Sequence, residues 1–66
     1  MNIYIIFEHK RELHYKSNII PRIDELVYFP HHGTFRVKKI VYHISDDCEN
    51  DNELMWVEIH VIKENI

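Results

Sequence analysis

The sequence predicts an all-β fold, a small and strongly bent antiparallel barrel of about five strands. Apolar and polar residues alternate with a period of two along most of the chain, which is typical of β-strands. No useful stretch shows the 3.6-residue apolar repeat of an amphipathic helix. A chain of 66 residues buries only about 60% of its unfolded surface, so we expect residues 1–66 to form a single domain.

The first strand is predicted over residues 2–8, where Ile3, Ile5 and Phe7 share one side. The charged residues 9–12 indicate a turn, after which residues 13–16 are expected to pair back as a short hairpin arm. Ser17 and Asn18 interrupt this pattern. The amino-terminal part of the chain is therefore expected to form a hairpin.

Two turns punctuate the middle of the chain. Pro21 fixes its own backbone φ angle, and Asp24 and Glu25 supply a polar corner before an apolar strand over residues 26–29. A second connection, residues 30–33, contains the single glycine of the chain, Gly33. Because glycine adopts positive φ without steric cost, we expect Gly33 to be the pivot of a tight turn.

The next strand, predicted over residues 34–45, is too long to stay flat in so small a sheet. Its apolar phase changes between Val37 and Ile40, so we expect a β-bulge near Lys38 and Lys39 that bends the strand. The acidic residues 46–53 follow as a predicted solvated loop. The last strand, residues 54–63, is expected to direct four side chains into the core: Met55, Val57, Ile59 and Val61.

The run over residues 20–29, followed by residues 35–40, resembles the short SH3-like barrel proteins of bacteria and phages. In that family the first turn usually reads Pro-x-x-Gly-Asp-x-Val, whereas here Asp24 and Glu25 stand where glycine and aspartate are expected. Aspartate tolerates the left-handed conformation better than most residues, so the turn is expected to be retained. The resemblance covers roughly residues 19–62. It implies an SH3-like fold and a binding role, and it carries over no catalytic residue.

Composition predicts the cytoplasm as the compartment. Cys48 is the single cysteine, so no intramolecular disulfide is available, although small secreted domains usually depend on several. The amino terminus lacks a basic segment and a signal-length apolar stretch, and no stretch approaches the roughly 20 apolar residues of a membrane span. The formal net charge of -3 argues against nonspecific nucleic-acid binding.

The main candidate for partner binding is the face that carries Trp56. Strand alternation places Trp56 opposite Met55 and Val57, and therefore outside the predicted core. Tryptophan and tyrosine are enriched at interface hot spots. We expect a partner protein or a second copy of the chain to bind this face or an exposed strand edge, through Trp56, Leu54, Ile62 and Tyr42. Alternatively, a second packed layer or the N-terminal strand covers Trp56, which then contributes to stability.

A basic strand predicts an alternative function, the binding of single-stranded nucleic acid. Arg36, Lys38 and Lys39 lie close together in the sequence, and aromatic residues on neighbouring strands offer stacking surfaces. The same charges also protect an exposed sheet edge from aggregation. Both interpretations remain open at the level of sequence.

The six histidines suggest a metal site, because imidazole binds zinc, copper and nickel. The candidates are His31, His32, His43 and His60. However, the zinc-binding spacings are absent and a single cysteine supplies no thiolate pair, so we expect no metal site and no cofactor.

Neither the acidic loop nor the possible nucleophiles match a known calcium-binding or catalytic motif. The loop has carboxylates at alternating positions, as a calcium-binding loop does, but it lacks the central glycine of an EF-hand. These carboxylates are Asp47, Glu49, Asp51 and Glu53. The serines, Thr34 and Cys48 have no nucleophile motif around them, and a lone glycine forms no phosphate-binding loop. We therefore expect a protein that is not an enzyme.

Overall fold

The computed structural model describes residues 1–8, 12–46 and 53–65, which form one curled β-sheet. Its strands are β1 (Asn2–Ile6), β2 (Glu12–Lys16), β3 (Leu26–Phe29), β4 (Gly33–Ser45) and β5 (Glu53–Lys63). The spatial order is β2-β1-β5-β4-β3. The predicted all-β fold is confirmed, and the curled half-barrel is consistent with a small, bent SH3-like barrel. Among these residues, no helix is long and apolar enough to cross a membrane.

The strand directions differ from the prediction, because the sheet is mixed and not purely antiparallel. β1 runs parallel to β5, with Ile3 opposite Val57 and Ile5 opposite Ile59, whereas the other three strand pairs are antiparallel. Parallel neighbours require a long crossover connection, and the chain from β2 to β4 supplies it. Alternation along each strand identifies the strand but carries no information on the direction of its neighbour.

The inner face of the curled sheet holds the core. Its buried side chains are Ile3, Ile5, Phe35, Val37, Val57, Ile59 and Val61. β5 is the central strand of the sheet, and the prediction that Val57, Ile59 and Val61 face the core is confirmed. The same prediction is wrong for Met55, which is 51% exposed, because it lies beyond the end of the pairing between β1 and β5.

Two predicted turn conformations and the predicted bulge are present in the structure. Asp24 has a φ of 70° and Gly33 a φ of 103°, so both adopt the left-handed region. The register of β4 against β5 shifts between Val37 and Lys39, which confirms the bulge. A second register shift, between His43 and Ile44, was not predicted.

Beyond the body of the sheet, β4 and β5 continue as a two-stranded extension. β3 pairs only with residues 33–36 of β4, and β1 pairs only with residues 57–60 of β5. We call residues 41–45 of β4 and 53–56 of β5 the ribbon, and the rest of the sheet the body. The ribbon contributes to the elongated shape of the molecule, whose principal extents are 48 × 22 × 19 Å.

Candidate functional site

The four predicted partner-binding residues lie on two faces of the sheet. Trp56 and Ile62 lie on the outer face, away from the core. Tyr42 pairs with the core residue Val57 and so lies on the inner face. Leu54 joins Tyr42 there, because the second register shift leaves Met55 of β5 as an extra residue between the pairs His43–Trp56 and Ile44–Leu54, and a one-residue slip moves side chains to the opposite face.

The inner face of the ribbon carries a patch of large, exposed apolar side chains. We call this set the apolar ribbon patch: Tyr42, Ile44, Leu54 and Met55, whose exposed fractions are 51%, 56%, 38% and 51%. Tyr42 pairs with a core residue, so the patch continues the core surface past the point where β1 begins. Contiguous apolar surface of this kind marks interaction sites in soluble proteins.

The ribbon also presents open backbone along its β4 edge. Hydrogen bonds from the turn before β3 reach Val37, where Asp24 N donates to Val37 O at 2.9 Å and Val37 N donates to Glu25 O at 3.0 Å. Within the described residues, no strand pairs with that edge of β4 beyond Val37. Lys38 and Lys39 lie at the start of this edge, where their charges oppose pairing with another strand. Residues 41–45 carry no lysine, arginine or carboxylate. Such an edge is a template for another strand.

On the outer face, four aromatic rings form a row across four neighbouring strands. The Tyr4 ring stacks on His14 with centroids 4.6 Å apart, and the Trp56 ring stacks on His43 at 4.2 Å. Between the two stacked pairs, Tyr4 and Trp56 meet edge to face at 6.5 Å. Neighbouring strands therefore cover Trp56 in part. The ring is half-buried, which lies between the two interpretations of the sequence, an exposed partner-binding residue and a covered, stabilising one.

A groove of about 320 Å³ lies beside this row, lined by Tyr4, Ile6, Glu12, Trp56 and Glu58. Its floor is β1, which contributes Tyr4 and Ile6. Glu12 comes from β2 on one side of β1, and the other two lining residues come from β5 on the opposite side. Sequence reasoning missed this groove, because each strand shows which residues share a face but not that β1 lies between β2 and β5.

The carboxylate of Glu58 is held by two histidines. His43 Nε2 donates to Glu58 Oε1, and His60 Nε2 donates to Glu58 Oε2 at 3.2 Å. The hydrogen bond from His43 is the main cause that lowers the pKa of Glu58; His60 adds to it and partial burial opposes it. Glu58 is therefore ionised at neutral pH, which places a fixed negative charge beside the groove.

One member of the predicted basic cluster, Arg36, forms an ion pair, and the other two do not share it. The Arg36 guanidinium donates to both carboxylate oxygens of Glu64, at 3.1 and 2.8 Å, and to Asp24 O at 2.8 Å. The hydrogen bond from Arg36 lowers the pKa of Glu64. Lys38 and Lys39 are exposed, so two of the three predicted basic residues remain open to a phosphate backbone.

The four candidate histidines do not gather into one cluster. His31 and His32 lie in the turn before β4, whereas His43 and His60 flank Glu58 on the outer face. Across the ranges that the structure describes, no group of three or more histidine, cysteine, aspartate or glutamate residues is arranged to hold a metal ion. Most of the proposed acidic loop, residues 47–52 with Cys48, lies outside those ranges.

Protein-family models, curated proteins and solved structures gave no significant match.

Proposed function

We propose that this protein is a noncatalytic binding module that holds a partner protein on its ribbon. In this proposal an extended segment of the partner pairs with the free edge of β4, and its side chains pack on the apolar ribbon patch. The observation that carries the proposal is the coincidence of the patch with a strand edge that no described strand pairs with. The proposal includes the cytoplasmic location and the bacterial or phage SH3-like family that the sequence predicts.

Strand addition accounts for both properties of the ribbon. The main-chain groups of an added strand satisfy the open N–H and C=O groups of β4, and alternate side chains of the added strand provide specificity. Side chains that point to the inner face contact Tyr42 and Ile44, which are half-exposed in the free protein. Burial of this apolar surface adds about 25 cal/mol per Å² to the free energy of binding.

A predominantly apolar interface distinguishes this proposal from nucleic-acid binding. Arg36 is engaged by Glu64 and Asp24, which supports a protein partner over a phosphate backbone. Binding through the ribbon is expected to tolerate salt, whereas phosphate contacts weaken steeply as the salt concentration rises.

Affinity capture with matched variants tests the proposal. The tagged protein, Ile44→Ser and Ile19→Ser are each exposed to bacterial lysate at physiological and at high salt. Ile19 is 79% exposed and lies outside the ribbon, so Ile19→Ser makes the same chemical change elsewhere. We expect the parent and Ile19→Ser to retain the same protein at both salt concentrations and Ile44→Ser to lose it.

Two outcomes would count against the proposal. Equal retention by Ile44→Ser would remove the ribbon from the interface. Sedimentation of the purified protein as a dimer, dispersed to monomers by Ile44→Ser, would assign the edge to a second copy of the chain in place of another protein. Circular dichroism of all three proteins confirms that each is folded.

A further inference from the structure

We propose that the groove on the outer face binds the guanidinium group of an arginine side chain from a protein. This site goes beyond the proposed function, because the groove lies on the face opposite the apolar ribbon patch and does not use the free edge of β4. The groove is the one formed by Tyr4, Ile6, Glu12, Trp56 and Glu58.

The size of the groove suits one long side chain. Its volume of about 320 Å³ is at the lower end of the roughly 300–1,000 Å³ typical of ligand pockets. Ile6 on the floor offers an apolar surface along which the methylene stem of an arginine can lie, while the charged end reaches the carboxylates. Arginine and lysine side chains bury their stems in this manner.

Charge complementarity selects a cation. Glu12 and Glu58 stand on the two strands that flank β1, so a group lying over β1 is approached by a carboxylate from each side. Each oxygen of Glu58 accepts a hydrogen bond from one imidazole. A carboxylate offers about four lone-pair positions, so Glu58 retains acceptor capacity for the N–H groups of a guanidinium.

The aromatic rings favour a planar cation over a point charge. Tyr4 and Trp56 line the groove. His14 stacks on one face of Tyr4 and His43 on one face of Trp56, so the histidines hold both rings in position and a cation would meet the opposite faces. Cations are attracted to the faces of aromatic rings, most strongly to tryptophan. A guanidinium also stacks on such rings and donates a fork of hydrogen bonds to a carboxylate, which an ammonium group does not. The groove therefore fits arginine better than lysine.

Trp56 is the single tryptophan of the chain, so its fluorescence reports on the groove directly. We would titrate the protein with N-acetyl-arginine amide, its lysine counterpart and the neutral isostere N-acetyl-citrulline amide, at constant ionic strength. Amide NMR signals of Tyr4 and Ile6 provide a second readout. For a ligand of this size we expect saturable binding of the arginine compound with a Kd on the order of 1 mM.

The lysine compound is expected to bind several-fold more weakly, and the citrulline compound is expected to show no saturable change. Equal responses to arginine and citrulline would overturn the proposal, because charge would then have no part in binding. Equal binding of lysine would overturn the assignment of the guanidinium. The absence of a saturable change in both fluorescence and NMR would overturn the site.

Matched variants separate this site from the ribbon. Glu12→Gln keeps the shape of the groove and removes one charge, and we expect about a three-fold loss of affinity for the arginine compound. Glu53→Gln changes the net charge equally outside the groove and should bind as the parent does. Ile44→Ser should also bind arginine normally while it loses the ribbon partner. An unchanged affinity in Glu12→Gln would contradict the proposal.

Discussion

The two long strands behave differently in the body and in the ribbon, although their sequences alternate in the same way. In the body, Val57 and Ile59 are fully buried because β1 and β4 flank β5 on both sides. Two residues earlier in the same strand, Met55 is 51% exposed. The difference arises from neighbouring strands, which cover the body and stop short of the ribbon.

This contrast separates stability from recognition along the chain. Apolar side chains of the body are already buried by the fold, so their contribution is to the free energy of folding. Those of the ribbon remain about half exposed, so the hydrophobic free energy of their exposed surface is available for binding. Substitutions in the two regions should therefore differ in which of the two quantities they change.

The largest effect is expected for Ile59→Ala in the body. Ile59 has no exposed surface, and truncation of a fully buried isoleucine costs about 2–5 kcal/mol. Domains have a free energy of unfolding of only about 0.05–0.15 kcal/mol per residue, so this variant should be close to unfolded at room temperature. Urea denaturation measures the loss.

The matched substitution in the ribbon is Ile44→Ala. Because Ile44 is 56% exposed, its truncation should change the free energy of unfolding by less than about 0.5 kcal/mol. Comparable losses for the two alanine variants would break the distinction between body and ribbon.

Trp56→Ala tests the junction of the two regions. The Trp56 ring is half-buried and contacts His43 and Tyr4, so its removal should cost about 2 kcal/mol in the free energy of unfolding. Tyr28→Ala serves as the control, because Tyr28 is 67% exposed and should lose little. A Trp56→Ala variant as stable as the parent would show that the aromatic row adds nothing to the fold.

Part of this architecture was predictable from the sequence. The alternation predicted the five strands, and the phase change predicted the bulge after Val37. The left-handed turns followed from the conformational freedom of Gly33 and the tolerance of Asp24. These features depend on residues close together in the chain.

Features that depend on strand neighbours were not predictable in the same way. The parallel placement of β1 beside β5 brings Tyr4 next to Trp56 and creates the groove between Glu12 and Glu58, yet none of these residues is near its partner in sequence. The second register shift, at Met55 of β5, places Leu54 on the inner face, and no glycine or proline near Met55 indicates it in the sequence.

Gly33→Ala tests how firmly the body end of β4 is anchored. At a φ of 103° a residue with a Cβ atom is strained by about 1–3 kcal/mol, and the new atom would overlap the Lys63 ammonium. That ammonium donates to His32 O at 2.6 Å. We expect a loss of about 1–2 kcal/mol on urea denaturation.

A Lys63→Ala background separates the two causes of the Gly33→Ala effect. Because the lysine side chain is flexible, backbone strain should dominate, and most of the loss should persist when Lys63 is truncated. Disappearance of the loss in that background would assign it to the overlap instead.

The smallest effect is expected for the ion pair at the body end of β5. The hydrogen bond from Arg36 lowers the pKa of Glu64 in the folded protein, so the pair contributes stability at pH values above the ordinary glutamate pKa of about 4.3. That contribution is lost as the pH falls through the lowered pKa. Glu64→Gln should therefore destabilise the protein at pH 7, and the difference should vanish in acid.

The control for the ion pair is Arg36→Met. In that background, Glu64→Gln should have little further effect on the free energy of unfolding at any pH, because the partner of the carboxylate is absent. A difference between the parent and Glu64→Gln that stays constant from pH 7 to acid would show that the charge of Glu64 does not contribute.

Native-state amide hydrogen exchange tests the separation of body and ribbon most directly. Isolated two-stranded ribbons are marginally stable in water, so hydrogen-bonded amides of residues 42–45 should exchange by local opening, at a lower free energy than those of Val57 and Ile59. Ile59→Val, a smaller truncation of the core that leaves the protein folded, should lower the opening free energy of the body amides and leave that of the ribbon nearly unchanged. Equal opening free energies in both regions, lowered together by Ile59→Val, would contradict the account.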